Sequence, residues 1–236
     1  MDERFKRSIM YYGEEVAARL RKAHVAVVGL GGVGSYAAEA LARSGLGALT
    51  LVDHDEVSLT NINRQICALS STLGRSKAEV MAERARDIDP ELVVTAKRLY
   101  YSADTHEAFF EERYDYIVDA IDLVSCKTEL IASAMERNIP IISALGTGNK
   151  KDASLFRVTD ITLTQNCPFA RVMRRELRRR GIEHHLVVYS PEKAIKPVIY
   201  DEPPPGRRSV PASLPWVPAS AGLLLAGEVV KSLAGI

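Results

Sequence analysis

Gly29-Leu30-Gly31-Gly32-Val33-Gly34-Ser35 follows the apolar run His24-Val25-Ala26-Val27-Val28 and leads into the small-residue run Tyr36-Ala37-Ala38-Glu39-Ala40-Leu41. A glycine cluster in that place reads as a strand, a tight turn and a helix. Glycine permits the turn and lets the backbone approach a phosphate closely, while the helix start offers unpaired N–H groups and a positive dipole end. Ala48-Leu49-Thr50-Leu51-Val52-Asp53 reads as the next strand, and its terminal acid lies about twenty residues beyond the glycines, within reach of a ribose hydroxyl. Gly29, Gly31, Gly32, Gly34 and Asp53 are therefore the first candidate nucleotide-binding residues.

Outward from this unit, strand-like runs at 24–29, 48–53, 92–98, 115–119, 139–143 and 155–158 alternate with helix-like runs at 33–44, 76–88, 104–112 and 125–137. That alternation predicts an α/β fold, a Rossmann-like doubly wound and mostly parallel sheet covered on both faces. Ser76-Lys77-Ala78-Glu79 has capping-box spacing, which puts Lys77 at the first helical position, and Asp89-Pro90 ends that helix. After Asp160 the pattern weakens into a basic helix at 167–180, an extended piece at 186–189, a proline-rich stretch at 191–218 and a last helix at 219–233. Proline fixes φ and lacks a donor, so the proline-rich stretch is expected to supply no central element and to act as a crossover or flap. The expected organisation is a nucleotide-binding core at 1–165 and a substrate-facing extension at 166–236, in one continuous unit.

The 236 residues suffice for a substantial core, and a formal net charge of +1 means that attraction to nucleic acid requires a local patch. Cys67, Cys126 and Cys167 are odd in number and far apart, which argues against a disulfide framework and suits a reducing cytoplasm. Without a Cys-x-x-Cys pair no four-thiolate zinc site is expected. Met1 to Arg7 lacks the apolar core of a signal peptide. Ala219 to Ile236 carries Glu228 and Lys231 and is read as short of a membrane span, with a surface-lying helix as the alternative.

A bare glycine pattern is shared with dehydrogenases, but here it stands in order with Asp53, Asp55, Asn61-Ile62-Asn63-Arg64-Gln65, Lys77 and Asp119-Ala120-Ile121-Asp122. That set resembles the ATP-dependent adenylating family of the ubiquitin-activating enzymes and the bacterial activators of sulfur-carrier proteins, over nearly the whole chain. Phe5-Lys6-Arg7, Glu39 to Gly47, Thr60 to Gln65 and Lys77 to Arg84 look most like the bacterial tRNA threonylcarbamoyladenosine dehydratases, which are zinc-free and one domain long. The resemblance implies ATP and Mg²⁺ as cofactors, with Asp53 on the ribose and Asn61 and Arg64 on the phosphates. Adenylation gathers anions and expels pyrophosphate, so cations must surround the triphosphate. Arg64 and Lys77 fit that need, and Asp122, beyond a strand end, fits a Mg²⁺ ligand. A lysine at a helix start opposes the dipole unless an anion is present. Gln65 completes the nucleotide set, and Asp55 is read either as a loop cap or as a metal assistant.

Resemblance also implies that Arg7 crosses a two-fold interface into the neighbour's ATP site, making a homodimer the working unit; the alternative is a frayed basic terminus. A cysteine desulfurase system is a further partner implied by the family alone. Arg171, Arg174, Arg175 and Arg178 fall on one helical face, opposite Phe169, Met173 and Leu177. This stripe reads either as solvated charge or as a surface for tRNA phosphates. His184-His185 has no partners at ligand spacing and is read as non-metal.

The expected reaction adenylates the carboxylate of threonylcarbamoyladenosine in tRNA and cyclises it with loss of AMP. A tethered attacking atom needs no enzyme thiol. The alternative is an activator of a ubiquitin-like sulfur-carrier protein. A dehydrogenase would leave Arg64, Lys77 and Asp122 without a role, and a non-catalytic nucleotide-binding module would not need the whole cation set.

Overall fold

The computed structural model describes residues 3–199 and 210–236. Helix α1 (Lys6–Leu20) precedes β1 (His24–Val28), α2 (Gly34–Ala42) and β2 (Ala48–Val52). Then come α3 (Lys77–Ile88), β3 (Val93–Lys97), α4 (His106–Phe109), β4 (Tyr116–Asp119), α5 (Val124–Glu136) and β5 (Ile141–Ala144). The chain continues through β6 (Arg157–Asp160), α6 (Pro168–Arg179), β7 (Leu186–Tyr189) and α7 (Trp216–Ala234). The sheet has the order β3-β2-β1-β4-β5-β7-β6, parallel throughout except for β6 on β7.

The central strands are apolar at nearly every position because both faces are covered. Val25 and Val27 face a cluster built with α1, α2, α3 and α7, while Ala26 and Val28 face one built with α5, α6 and Phe109. The strand order reverses at β1 and β4, and ligands of such sheets lie beyond the carboxyl ends at that point.

Element boundaries depart from the sequence reading where local geometry intervenes. The run at 104–112 forms only the single turn of α4, because its aromatic pair, Phe109-Phe110, is adjacent rather than at helical spacing and gives no longer apolar face. Strand β6 starts at Arg157, after a turn in which Asp152 accepts from the N–H of Ser154. Helix α1 has no counterpart among the helix-like runs of the sequence, and it bends at Gly13, whose φ is +86°.

The last helix begins at Trp216 and includes Pro218, so the proline-rich stretch does supply a helix start. Proline is tolerated there because first-turn N–H groups have no helical partner. With 19 residues, α7 does have the length and apolar character of a membrane span. It is nonetheless a packed helix: Val217, Ala221, Leu225, Ala226 and Val229 are buried, and Gly222 lies against the backbone of Val33 and Ala37.

Candidate nucleotide site

Register brings three chain segments to one level. Val28 lies beside Val52 on one side and Asp119 on the other, so Gly29, Asp53 and Ala120 emerge together. Gly29 has φ +89°, and a Cβ there would stand 2.8 Å from the carbonyl oxygen of Ala120. A Cβ on Gly34 would strike the carbonyl oxygen of Gly29. These two positions demand glycine; Gly31 and Gly32 border Gln65 and Pro218.

Asp53 is buried, and its carboxylate ties the site together: Oδ2 accepts from the N–H of Leu30 at 2.6 Å and Oδ1 from the N–H of Asp55 at 2.8 Å. Each carboxylate oxygen keeps acceptor capacity for a hydroxyl. Lys77 opens α3 behind the Ser76 cap, and its Nζ donates to Asp55 Oδ2 at 2.9 Å. Asn61 is buried in a short turn, where its Oδ1 accepts from the N–H of Ser58, so its Nδ2 is the group to offer a ligand. Gln65 is buried under the glycine loop.

Arg64 runs along Gly32, and its Nη1 donates to the carbonyl of Thr60 at 2.7 Å and to Asn63 Oδ1 at 2.9 Å. Burial lowers its pKa, and among the described residues no carboxylate pairs with it. A half-buried cation held only by neutral oxygens is arranged to receive an anion.

Asp122 is exposed on the turn after β4, close enough to bear electrostatically on Lys127 and Tyr100. Among the described residues the close three-ligand group is Asp53, His54 and Asp55, with candidate atoms within 4.8 Å of one another, and Asp122 lies outside it. Carboxylate oxygens are the donors Mg²⁺ prefers. Asp122 carries such a donor, exposed beyond the carboxyl end of β4.

Arg7 is exposed near the start of α1, two residues after Phe5, which packs on Gly45 just beyond the C-terminal end of α2, whereas the glycine loop lies at that helix's start; Arg7 makes no hydrogen bond or ion pair with any described residue. Arg171, Arg175 and Arg178 are exposed on α6. Arg175 pairs with Glu176. Arg174 is the exception to the stripe: its Nη1 donates to the carbonyls of Ile161 at 3.3 Å and Thr164 at 3.1 Å and to the Thr164 hydroxyl. Helical geometry explains this, since Arg174 lies on the flank next to buried Ala170 and Leu177. Arg171 and Arg174 line a cleft of about 230 Å³ with Asn166, Cys167 and Pro168.

The three cysteines are buried and separate. Cys67 lies beneath the glycine loop, and burial pushes its thiol up to about 11. Sequence reasoning missed a buried lysine, Lys127, which is ion-paired with Asp119. A signal existed: Lys127 falls in the apolar series with Leu130, Ile131 and Ala134 on α5. His185, which the sequence marks only as non-metal, is buried against Ser143.

A parallel sheet with a glycine loop at its switch point, a buried acid closing the next strand and a half-buried arginine with no carboxylate partner among the described residues defines a nucleotide-binding protein of the adenylating type. The ThiF family model matches residues 5–236, and the chain belongs to the ThiF family. It is 42% identical to the tRNA threonylcarbamoyladenosine dehydratase of Bacillus subtilis (strain 168) over 242 residues, covering 99% of this chain and 95% of that protein. It superposes on the Escherichia coli tRNA N6-threonylcarbamoyladenosine dehydratase TcdA in complex with ATP with a TM-score of 0.89 and 36% identity, covering 99% of this chain and 94% of that one. A more distant relative is the Escherichia coli molybdopterin-synthase adenylyltransferase, 30% identical over 66% of this chain and 64% of that protein.

Proposed function

We propose that this chain is an ATP-dependent dehydratase acting on threonylcarbamoyladenosine in tRNA. The observation that carries the reading is Arg64, a half-buried guanidinium beside the glycine loop with no carboxylate partner among the described residues. It is supported by the likeness to dehydratases over nearly the full length of both chains.

In this reading Asp53 takes the ribose, Asn61 Nδ2, Arg64 and Lys77 take the phosphates, and the glycine-loop N–H groups close around them. A substrate carboxylate oxygen attacks the α-phosphorus, pyrophosphate leaves, and Arg64 and Lys77 neutralise the charge that develops. A Mg²⁺ held by Asp122 and the phosphates would supply further charge neutralisation. A heteroatom of the same threonylcarbamoyl group then attacks the acyl carbon and expels AMP, so the net change is loss of one water. Tethering brings that atom to the carbonyl, an advantage of several kcal/mol. A direct route suits the buried thiols, since Cys67 stays protonated at neutral pH.

Arg7, exposed and bonded to no described residue, completes the site of a second copy in a homodimer. Mixing Arg7→Ala with Arg64→Ala subunits then restores part of the activity, because one site of the mixed dimer keeps both arginines. Mixtures no more active than their parents would remove Arg7 from the site. Exposed Arg171, Arg175 and Arg178 hold tRNA phosphates, and the setting that supplies ATP and tRNA to a chain with unpaired thiols is the cytoplasm. The decisive experiment is mass analysis of nucleosides from threonylcarbamoylated tRNA after incubation with protein, ATP and Mg²⁺. A nucleoside lighter by one water, formed with AMP, is expected; AMP formed only with a small carrier protein would overturn the reading in favour of a sulfur-carrier activator.

A further inference from the structure

Behind the glycine loop, a chain of buried polar groups runs from α5 to the start of β7. Lys127 Nζ donates to Asp119 Oδ2 at 2.7 Å and to the Asp119 carbonyl at 3.3 Å. The Ser143 hydroxyl donates to the same Oδ2 at 2.6 Å, and His185 Nε2 lies 2.7 Å from Ser143 Oγ. None of the four residues is more than 4% exposed. A carboxylate only accepts, so the serine proton points to Asp119 and its oxygen accepts from the Nε2–H of a neutral His185. Burial and the Lys127 charge, which hold the imidazole down to about 3, agree with that proton arrangement.

The other Asp119 oxygen, Oδ1, accepts from the N–H of Ile121 at 3.0 Å, and the N–H of Ala120 donates to the carbonyl of Val28 at 2.9 Å. This is the turn whose Ala120 carbonyl abuts Gly29 and which leads into Asp122. A side chain such as Met or Leu would fill the place of Lys127 among Leu130, Ile131 and Ala134 without the cost of burying an ammonium. What the ammonium supplies instead is a fixed orientation of Asp119, and through it of the turn that forms one wall of the nucleotide site.

We propose that Lys127 is a positioning residue for adenylation: through Asp119 it holds the Ala120–Asp122 turn, and with it Asp122, in the geometry that receives the metal-bound triphosphate. The inference rests on the adenylation reading above for the role of Asp122. Lys127 touches no substrate; Ser143, itself bonded to His185, holds the same Asp119 oxygen.

The test compares Lys127→Met/Asp119→Asn, which leaves no unpaired buried charge, with Lys127→Arg, Asp122→Ala and the unaltered protein. Two quantities are read: AMP formation at saturating ATP, and the gain in ATP affinity on adding Mg²⁺ in the absence of tRNA. The double variant is expected to melt near the unaltered protein, to lose the Mg²⁺-dependent gain as Asp122→Ala does, and to form AMP about tenfold or more slowly, in keeping with the cost of small misplacements. Lys127→Arg retains part of both. A folded double variant with unchanged kcat, KM for ATP and Mg²⁺-dependent gain overturns the proposal. Should the double variant not fold, Ser143→Ala, which removes a single bond to Asp119, is measured by the same two readouts: a loss in both supports the proposal, and no change in either overturns it. If the unaltered protein forms no AMP with the modified tRNA, the functional reading fails, and the Mg²⁺-dependent affinities still decide whether Lys127 positions Asp122.

Discussion

Lys77 and Lys127 invite comparison because both are buried near the start of a helix and both are ion-paired, at 2.9 Å and 2.7 Å. Their partners differ. The Asp55 side chain is 51% exposed, whereas the Asp119 side chain is wholly enclosed. An exposed partner leaves a cation accessible to a competing anion, while an enclosed pair can act only on the protein around it. Under the proposed function this contrast has Lys77 meet a phosphate and Lys127 shape the wall beside it.

The largest effect expected from breaking this contrast is on stability. Lys127→Ala strands the Asp119 carboxylate in the core, and urea unfolding should show a loss of about 3–5 kcal/mol. A loss no greater than about 1 kcal/mol, the range of exposed pairs, would mean that Asp119 finds water or another donor. Lys77→Ala should do the opposite: a smaller loss of stability than Lys127→Ala, because the Asp55 left behind stays in water, and AMP formation slowed about 10²–10³-fold, as for loss of one transition-state donor. Soluble Lys77→Ala protein turning over at the unaltered rate would take Lys77 out of the chemistry.

His185 sharpens the enclosed side of the comparison. The unfolded imidazole takes its proton near pH 6.5 and the folded one only near 3, so between these values the unfolded chain binds more protons and stability falls as pH falls. From pH 6.5 to 4.5 the residue alone should cost about 2 kcal/mol. Unfolding curves of His185→Gln, which keeps a donor for Ser143 and cannot titrate, should be flatter over that window by this amount; parallel curves would show that His185 is protonated in the fold.

The smallest effects concern α6. Reversing Arg171 and Arg178 should weaken tRNA binding at low salt by about tenfold and reduce the salt slope by about one for each lost phosphate contact. ATP affinity should not change. Arg174→Ala should instead cost about 1 kcal/mol of stability, by releasing the carbonyls of Ile161 and Thr164, with little change in tRNA binding. A stripe whose members all behave alike in tRNA binding would contradict this division.

Much of the first half of the chain was legible because its signals are local. Glycine at 29 and 34, the acid closing β2 and the Ser76 cap before Lys77 each act within a few residues, and the structure sets them where spacing suggested. Arg64 was legible as a cation of the motif, but its lack of a carboxylate partner among the described residues was not. Arg174 was grouped with its neighbours, and its bonds to Ile161 and Thr164 were not legible, because periodicity defines a face but not its edge. Lys127 stands apart from every motif, and its place among apolar positions on α5 gains meaning only with the partner that the sheet supplies.

By itself the sequence determined the alternation of strands and helices from β1 to β5, the glycine turn and the cations that follow it, since these depend on backbone conformation and on side chains close together in the chain. The tertiary structure decided which charges are answered and which are not. Asp119, Lys127, Ser143 and His185 span more than sixty positions and meet only because β4, β5 and β7 lie side by side in the sheet. The energy of a charge is set by what surrounds it in space, and burial and hydrogen-bond partners belong to the fold and not to the order of residues.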